Sequence, residues 1–156
     1  MPILTAPASG HAVVINDEGK VLLLQNIVLD KKTGKLVVTD RYVFTGGRVE
    51  EGEEPVPALL REIKEETGLT NVRVILPIHI CLWEPTHIRL SVIYLVRAYG
   101  NEKIVLQKEE AASYKWVSFD EAMRAPLWNA EHYNALRKAK KIIAIREIEE
   151  LDALRD

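Results

Sequence analysis

The segment from Gly46 to Leu69 limits the folds open to this chain more than any other part of its sequence. Gly46 and Gly47 end an apolar run and allow a sharp turn or a close backbone approach. The sequence predicts a helix over 55–67, because its two prolines fall in the first turn, where a missing N–H costs little. Gly68 follows where a left-handed C-terminal cap is expected. The segment is therefore predicted to form a strand, a glycine loop and a helix.

The predicted helix has an acidic side and an apolar side when its residues are placed about 100° apart. Glu62, Glu65 and Glu66 are spaced three and four residues apart, so three like charges share one patch and repel each other. Solvent, basic partners or a bound divalent cation would relieve that repulsion. Carboxylates with no histidine or cysteine nearby favour Mg²⁺ or Mn²⁺ over Zn²⁺. The residues predicted to face the core are Val56, Leu59, Leu60, Ile63 and Thr67.

An acidic helix face on its own is most often a solvated surface, but here it belongs to a longer pattern. The pattern occupies 23 residues and begins at the second glycine of the pair. It resembles the Nudix box at every specified position, so the chain resembles the Nudix hydrolase family. The matching positions are Gly47, Glu53, Arg61, Glu62, Ile63, Glu65, Glu66, Gly68 and Leu69.

The resemblance implies a hydrolase that splits a nucleoside diphosphate linked to another group, by attack of water on a phosphorus. It implies a Nudix-type α/β/α sandwich with a mixed sheet and a Mg²⁺ cofactor, with Mn²⁺ as the other candidate. A bound cation would neutralise phosphate oxygens and lower the pKa of bound water. In the family role, Arg61 holds the carboxylates through ion pairs. The metal ligands that the resemblance implies are Gly47, through its carbonyl, and Glu53, Glu62, Glu65 and Glu66.

One carboxylate must accept the proton of the attacking water. In the Nudix family, which the chain resembles, this base lies either in the box or on a loop before a tryptophan-containing strand. Glu109 and Glu110 precede Trp116 on such a loop, and we predict Glu110 as the base. An exposed loop acid without a catalytic role is the alternative. The predicted catalytic residues are thus Glu65, Glu66, Arg61 and Glu110.

The residues that choose the substrate must lie outside the box. Arg41 and Arg48 are candidates for bidentate phosphate binding, although surface charges are the simpler interpretation. Tyr42 and Trp83 are candidates to stack on a base, although strand aromatics are more often core residues. The substrate stays open between a nucleoside triphosphate and an ADP-ribose-like compound.

The rest of the chain alternates short β-rich runs with two helical regions, which predicts an α+β fold with a mixed sheet covered by helices. Asp120 is the predicted N-cap of a helix that starts at Glu121. An extended C-terminal helix is predicted over 129–156, and a packed tail and a homodimer contact both remain open for it. The predicted strands are His11–Ile15, Val21–Leu24, Leu36–Val38, Tyr42–Phe44, Val72–Leu76, His79–Trp83, Ile88–Ala98 and Tyr114–Phe119.

The composition of the chain limits which binding partners and which cellular compartment we expect for it. The 156 residues predict one domain, 1–156, and the net charge of −2 lacks the basic excess of a general nucleic-acid binder. No apolar run approaches the ~18 residues that span a bilayer, and Cys81 is the single cysteine. We therefore expect a cytoplasmic protein with a small nucleotide substrate, no stable nucleic-acid partner and no membrane association.

Two other functions are compatible with the same fold. A catalytically silent Nudix-like module would bind a nucleotide or RNA, and a prenyl-diphosphate isomerase would need a cysteine beside an active-site acid. The complete carboxylate set favours an enzyme over a silent module. Cys81 stands between Ile80 and Leu82 in an apolar strand, which disfavours the isomerase.

Overall fold

A computed structural model of the chain describes residues 5–83 and 88–145. Its elements follow the order of strands, one helix, more strands and two final helices that the sequence predicts. The elements are β1 (Ala8–Ile15), β2 (Val21–Leu29), β3 (Leu36–Val43), β4 (Thr45–Arg48), α1 (Pro55–Thr67), β5 (Val72–Trp83), β6 (Arg89–Ala98), β7 (Ala111–Val117), α2 (Phe119–Arg124) and α3 (Ala130–Ile145).

The strands form one mixed sheet in the order β3-β2-β1-β6-β5, with β4 paired to β1 and β7 paired to β2. β1 and β6 are parallel over the whole of β1, and the other pairings are antiparallel. β1 therefore has β6 along one edge, and along the other edge it has β4 at 9–12 and β2 at Ile15. This pairing brings the glycine strand β4 to the middle of the sheet.

Helices cover both faces of the sheet, because successive residues of the central strands point to opposite sides. Val13 and Leu23 pack with α2 and α3 on one side, whereas Val14 and Leu22 pack with α1 on the other. Each side has its own buried apolar cluster. The predicted α+β sandwich with a mixed sheet is confirmed.

The helix α1 has the predicted bounds, and Gly68 has the predicted left-handed conformation with φ of 75°. The prediction of its core-facing side was partly wrong. Val56 is 37% exposed, whereas Ala58 and Glu66 are buried. Seven residues complete almost two turns, so Glu66 lies on the same side as Leu59 and faces the sheet.

Other local predictions also need correction. Gly46 and Gly47 lie in the short strand β4 and pair with β1, so they do not form a loop. The N-cap of α2 is Ser118, not Asp120, because Ser118 and Glu121 form a reciprocal capping box. The two strands predicted over 72–83 are one bulged strand, β5.

The final helix α3 begins as predicted and is described to Ile145. Ile142 and Ile143 pack against the core, and Ile145 is 78% exposed. Residues 146–156 lie outside the described part of the chain, so the helix extension and the dimer contact stay predictions there. Within the described residues, no helix is long and apolar enough to cross a membrane.

Candidate active site

The acidic side of α1 approaches β4 closely because β4 contains two glycines. A Cβ on Gly46 would lie 2.1 Å from the carbonyl oxygen of Gly10, and its φ of 146° also disfavours other residues. A Cβ on Gly47 would lie 2.5 Å from Cδ of Glu62. The glycines therefore let β1 pair with β4 and let the Glu62 carboxylate lie directly against the backbone of Gly47.

Arg61 connects three of the carboxylates. Its Nε donates to Oε1 of Glu53 at 2.7 Å and its Nη2 donates to Oε2 at 3.0 Å, a bidentate pair. Its Nη1 donates to Glu62 at 2.9 Å and to Glu65 at 3.2 Å. Its Nη2 also donates to the carbonyl of Arg48 at 3.2 Å. One guanidinium thus fixes the acidic helix to the end of β4.

These bonds shift the pKa values of the groups that make them. The guanidinium of Arg61, together with the backbone N–H of Glu50, lowers the pKa of Glu53 to about 2. The carboxylates of Glu53 and Glu62 raise the pKa of Arg61. Burial raises the pKa of Glu62, and Arg61 opposes that rise. The result is a charged cluster whose single cation is shared by three anions.

Glu66 is the buried member of the acidic set and lies between α1 and β4. Its Oε2 accepts hydrogen bonds from the Thr45 hydroxyl and from the Gly46 N–H, the latter at 3.0 Å. Burial raises its pKa from 4.5 to about 7, and the charges of Glu110 and Glu62 add to the rise. Thr45 directly precedes the glycine pair, and its hydroxyl donates to the buried carboxylate.

The loop before β7 brings Glu110 to the acidic set. Glu110 is exposed, and its charge contributes to the raised pKa values of both Glu62 and Glu66. The exposed Glu110 carboxylate thus lies near the buried Glu66 carboxylate, a position from which it can exchange protons with solvent.

A cleft of about 260 Å³ opens beside Glu66 and Glu110. Its wall is apolar and aromatic on the side of β2, β3 and the chain before α3. The Phe44 and His132 rings pack against each other within it, with their centroids 4.8 Å apart and their planes tilted by 37°. Burial lowers the pKa of His132 to about 3, so its imidazole is neutral at neutral pH. The other lining residues are His11, Leu24, Asn26, Ile27, Val43, Gly46 and Trp128.

The predicted substrate residues are not gathered in that cleft. Arg41 is exposed, and its Nη1 donates to the carbonyl of Leu127 at 3.3 Å. The ring of Tyr42 packs beneath Nζ of Lys115, 4.0 Å from the ring centroid. Neither residue lines the cleft, although the backbone of each lies in β3 close to it.

The remaining two candidates lie elsewhere. Arg48 ends β4 beside the carboxylates, with its side chain exposed. Burial lowers the pKa of Arg89, and the nearby charge of Arg48 adds to that lowering. Trp83 pairs with Arg89 through the backbone of β5, and its side chain lies outside the described residues. The structure thus gathers Gly47, Glu53, Arg61, Glu62, Glu65, Glu66 and Glu110, with Arg48 at the edge.

Sequence reasoning missed the cleft residues Asn26, Trp128 and His132. Asn26 lies in β2 at a register shift toward both β3 and β7, and Trp128 follows α2. No local pattern marks either one.

Comparison with known proteins identifies relatives of the chain. The family model described as the NUDIX domain matches residues 5–139. A CTP pyrophosphohydrolase of Escherichia coli (strain K12) is 30% identical over 135 residues, covering 83% of this chain and 93% of that protein. An RNA pyrophosphohydrolase of Bartonella bacilliformis is 38% identical over 63 residues, and the match covers 40% of this chain but only 36% of that protein.

A solved structure has the same fold. The binary complex of a C. elegans Ap4A hydrolase superimposes with a TM-score of 0.71 and 20% sequence identity. The match covers 90% of this chain and 100% of that one. The predicted sandwich topology is thus found in a solved protein.

Proposed function

Because the chain belongs to the Nudix family, in which hydrolases act on small nucleotides with divalent metals, we propose that it hydrolyses the diphosphate linkage of a nucleoside triphosphate. The observation that carries this proposal is the position of Glu66. Its carboxylate belongs to the acidic side of α1 and also lines the 260 Å³ cleft. A nucleotide whose base occupies the cleft would therefore place its phosphates beside the carboxylates.

The carboxylate set fits Mg²⁺. Every side chain in it offers oxygen alone, which suits a hard divalent cation. We propose Glu62, Glu65 and Glu66 as ligands, with Glu53 and the Gly47 carbonyl completing the protein's share. Since the Glu62 carboxylate already lies against the Gly47 backbone, one ion can contact both. A bound cation supplies neutralisation of phosphate oxygens and acidifies a bound water.

The protein's own groups would orient the substrate and move the proton. Arg61 holds Glu53, Glu62 and Glu65 in one arrangement, so it is a positioning residue. Glu110 is proposed to accept the proton of the attacking water, because it lies near both Glu62 and Glu66 and reaches solvent. Arg48 would contact a phosphate from the end of β4.

The lining of the cleft favours a nucleobase. Phe44 and Trp128 offer aromatic surface for stacking, and the carboxamide of Asn26 can donate and accept hydrogen bonds at a base edge. The relative named a CTP pyrophosphohydrolase supports a triphosphate substrate over an ADP-ribose-like one. CTP is therefore the first substrate to test.

The test is a hydrolysis panel in the presence of Mg²⁺, with products separated by chromatography. The panel contains CTP and the other NTPs, oxidised dNTPs, ADP-ribose, dinucleoside polyphosphates, nucleotide sugars and isopentenyl diphosphate. Release of pyrophosphate and a nucleoside monophosphate from a triphosphate is the expected result. Glu65→Gln is the matched control, because it removes one proposed ligand's charge at equal size and should abolish turnover.

Two results would contradict the proposal. Turnover by Glu65→Gln with normal metal dependence would remove Glu65 from the ligand set. Nucleotide or RNA binding without turnover of any compound would favour the binding module instead. Turnover of isopentenyl diphosphate alone would favour the isomerase, although Cys81 contacts Glu131 and does not line the cleft in the described part of the chain.

A further inference from the structure

A second group of metal-binding side chains lies on the opposite side of the sheet from α1. His79 and Cys81 are two residues apart on β5 and so point to the same face. Glu131, in the first turn of α3, crosses to meet them. One ligand atom from each of these residues lies within 4.8 Å of the other two. All three side chains are partly buried between β5 and α3.

The three side chains already contact each other. Nε2 of His79 and Oε2 of Glu131 form a hydrogen bond, and the thiol of Cys81 also bonds the Glu131 carboxylate. Nδ1 of His79 contacts Nζ of Lys138 at 2.8 Å. The side chain of His79 is only 11% exposed. Hydrogen bonds and partial burial therefore fix the positions of these three side chains relative to one another.

A neighbouring polar group in β6 supports a ligand at this place. Ser91 lies directly opposite Cys81 in the antiparallel β5–β6 pairing and on the same face of the sheet. It is fully buried, and its hydroxyl has no hydrogen-bond partner within the described residues. Buried hydroxyls are normally paired, and a water bound to a metal ion beside Cys81 would supply a partner.

We propose that His79, Cys81 and Glu131 form a zinc site. A thiolate, an imidazole and a carboxylate together are the donor set that Zn²⁺ prefers, and they do not suit Mg²⁺. Three protein ligands leave a fourth tetrahedral position for water. Atoms bound to one Zn²⁺ lie about 3.3–3.8 Å apart, so small side-chain rotations close the present arrangement around an ion.

Binding changes the protons of the site in a defined way. The Cys81 thiol loses its proton to solvent and binds as the thiolate. With no metal bound, Nε2 of His79 carries the single proton of the imidazole and donates it to Glu131; when Nε2 binds the ion, solvent takes that proton and returns one to Nδ1, so the imidazole stays neutral. Lys138 donates to that same Nδ1, and its ammonium must turn away into solvent, where it is already exposed. One proton is released for each ion bound, and Lys138 competes with the metal.

The position of the site suggests its effect. Glu131 precedes His132, which lines the cleft beside Phe44. An ion on Glu131 would fix the first turn of α3 to β5 and so hold one wall of the cleft. Zinc binding is therefore expected to stabilise the fold, and it does not depend on the carboxylates of α1.

The experiment measures Zn²⁺ binding to the full chain by isothermal titration calorimetry in two buffers of different ionisation enthalpy, with excess Mg²⁺ present. The expected result is one Zn²⁺ per chain, with one proton released. Co²⁺ used as a spectroscopic probe should show thiolate-to-cobalt charge transfer in the near ultraviolet. Zinc should also raise the melting temperature of the wild-type protein.

The variants separate this site from the proposed active site. Cys81→Ser and Glu131→Gln should weaken zinc binding more than about 100-fold and remove the thermal shift, the serine variant also losing the charge-transfer band. Lys138→Gln should bind zinc about tenfold more tightly, because a neutral carboxamide oxygen can accept from Nδ1 where the ammonium competes. Glu65→Gln, in α1, should bind zinc as the wild type does.

Other outcomes would overturn the assignment. Absence of saturable binding, or wild-type zinc affinity in Cys81→Ser, would show that the three side chains are only a hydrogen-bonded network. Loss of binding in Glu65→Gln would place the zinc on α1. None of these three outcomes affects the result of the hydrolysis panel, because that assay contains no zinc.

Discussion

Replacing Glu66 by glutamine is expected to stabilise the metal-free protein while abolishing its activity. Glu66 is 9% exposed, and the pKa of its carboxyl rises from 4.5 to about 7 on folding. A carboxyl whose pKa rises on folding stabilises the protein below pH 4.5, and that contribution is lost as the pH rises through 7. Glutamine is similar in shape and carries no charge at any pH.

The expected size follows from the shift. At 1.36 kcal/mol per pKa unit, the rise corresponds to about 3 kcal/mol between the two limits, of which about 2.5 kcal/mol falls between pH 5 and pH 8. The free energy of unfolding of Glu66→Gln minus that of the wild type should therefore grow by about 2.5 kcal/mol over this range. Taking the difference cancels the titration of other groups.

The assay is urea denaturation followed by tryptophan fluorescence, in chelator, at pH 5 and pH 8. Glu65→Gln is the matched control, because its side chain is 52% exposed and pays no comparable burial cost. Its difference from the wild type should be nearly the same at both pH values. Adding Mg²⁺ at pH 8 should stabilise the wild type and leave Glu66→Gln unchanged. A pH-independent difference for Glu66→Gln, within about 0.5 kcal/mol, would refute the reasoning.

Four further predictions concern single residues at the site. Gly47→Ala should leave the urea midpoint nearly unchanged and lower kcat/KM about 100-fold, since its Cβ displaces only the end of the Glu62 side chain. In Gly46→Ala, the new Cβ would clash with the backbone carbonyl of Gly10, so this variant should unfold at a lower urea midpoint than the wild type. Arg61→Lys should lower kcat/KM at least about tenfold, because an ammonium cannot make the guanidinium's several bonds at once; wild-type kinetics would contradict this. The His132 imidazole, with a pKa of about 3, should not titrate above pH 5 in NMR spectra, and its burial should cost stability as the pH falls below 6.5.

Local sequence cues predicted much of the fold because they act within a few residues. Pro55 and Gly68 mark the two ends of α1, and the structure has both ends where these residues place them. Asp120 and Ser118 are both common N-cap residue types, so a single residue does not decide where α2 begins. The spacing of Ser118 and Glu121 does, because only this pair can form the reciprocal capping box.

The burial of Glu66 could not be predicted because it depends on long-range pairing. Helix periodicity places Glu66 both next to the charge of Glu62 and on the side of Leu59, so it does not decide whether the carboxylate is buried. The pairing of β4 with β1 decides this, because it brings Thr45 and Gly46 over the carboxylate. The cleft depends similarly on the packing of α3 across the sheet. Contacts of this kind are set by topology, which a single sequence pattern does not specify.

The charge balance of the site explains why a cation would be coupled to its stability. Arg61 is shared by Glu53, Glu62 and Glu65, and Glu66 and Glu110 add further negative charge nearby. Without an ion, the protein limits this repulsion by keeping Glu66 largely protonated below pH 7 and by bonding it to the Thr45 hydroxyl. With a divalent ion on the carboxylates, as proposed, the proton on Glu66 is displaced and the repulsion becomes attraction. Proline at position 45 would offer no hydroxyl, so the threonine gives this chain an extra donor that holds the Glu66 carboxylate in place when no metal ion is bound.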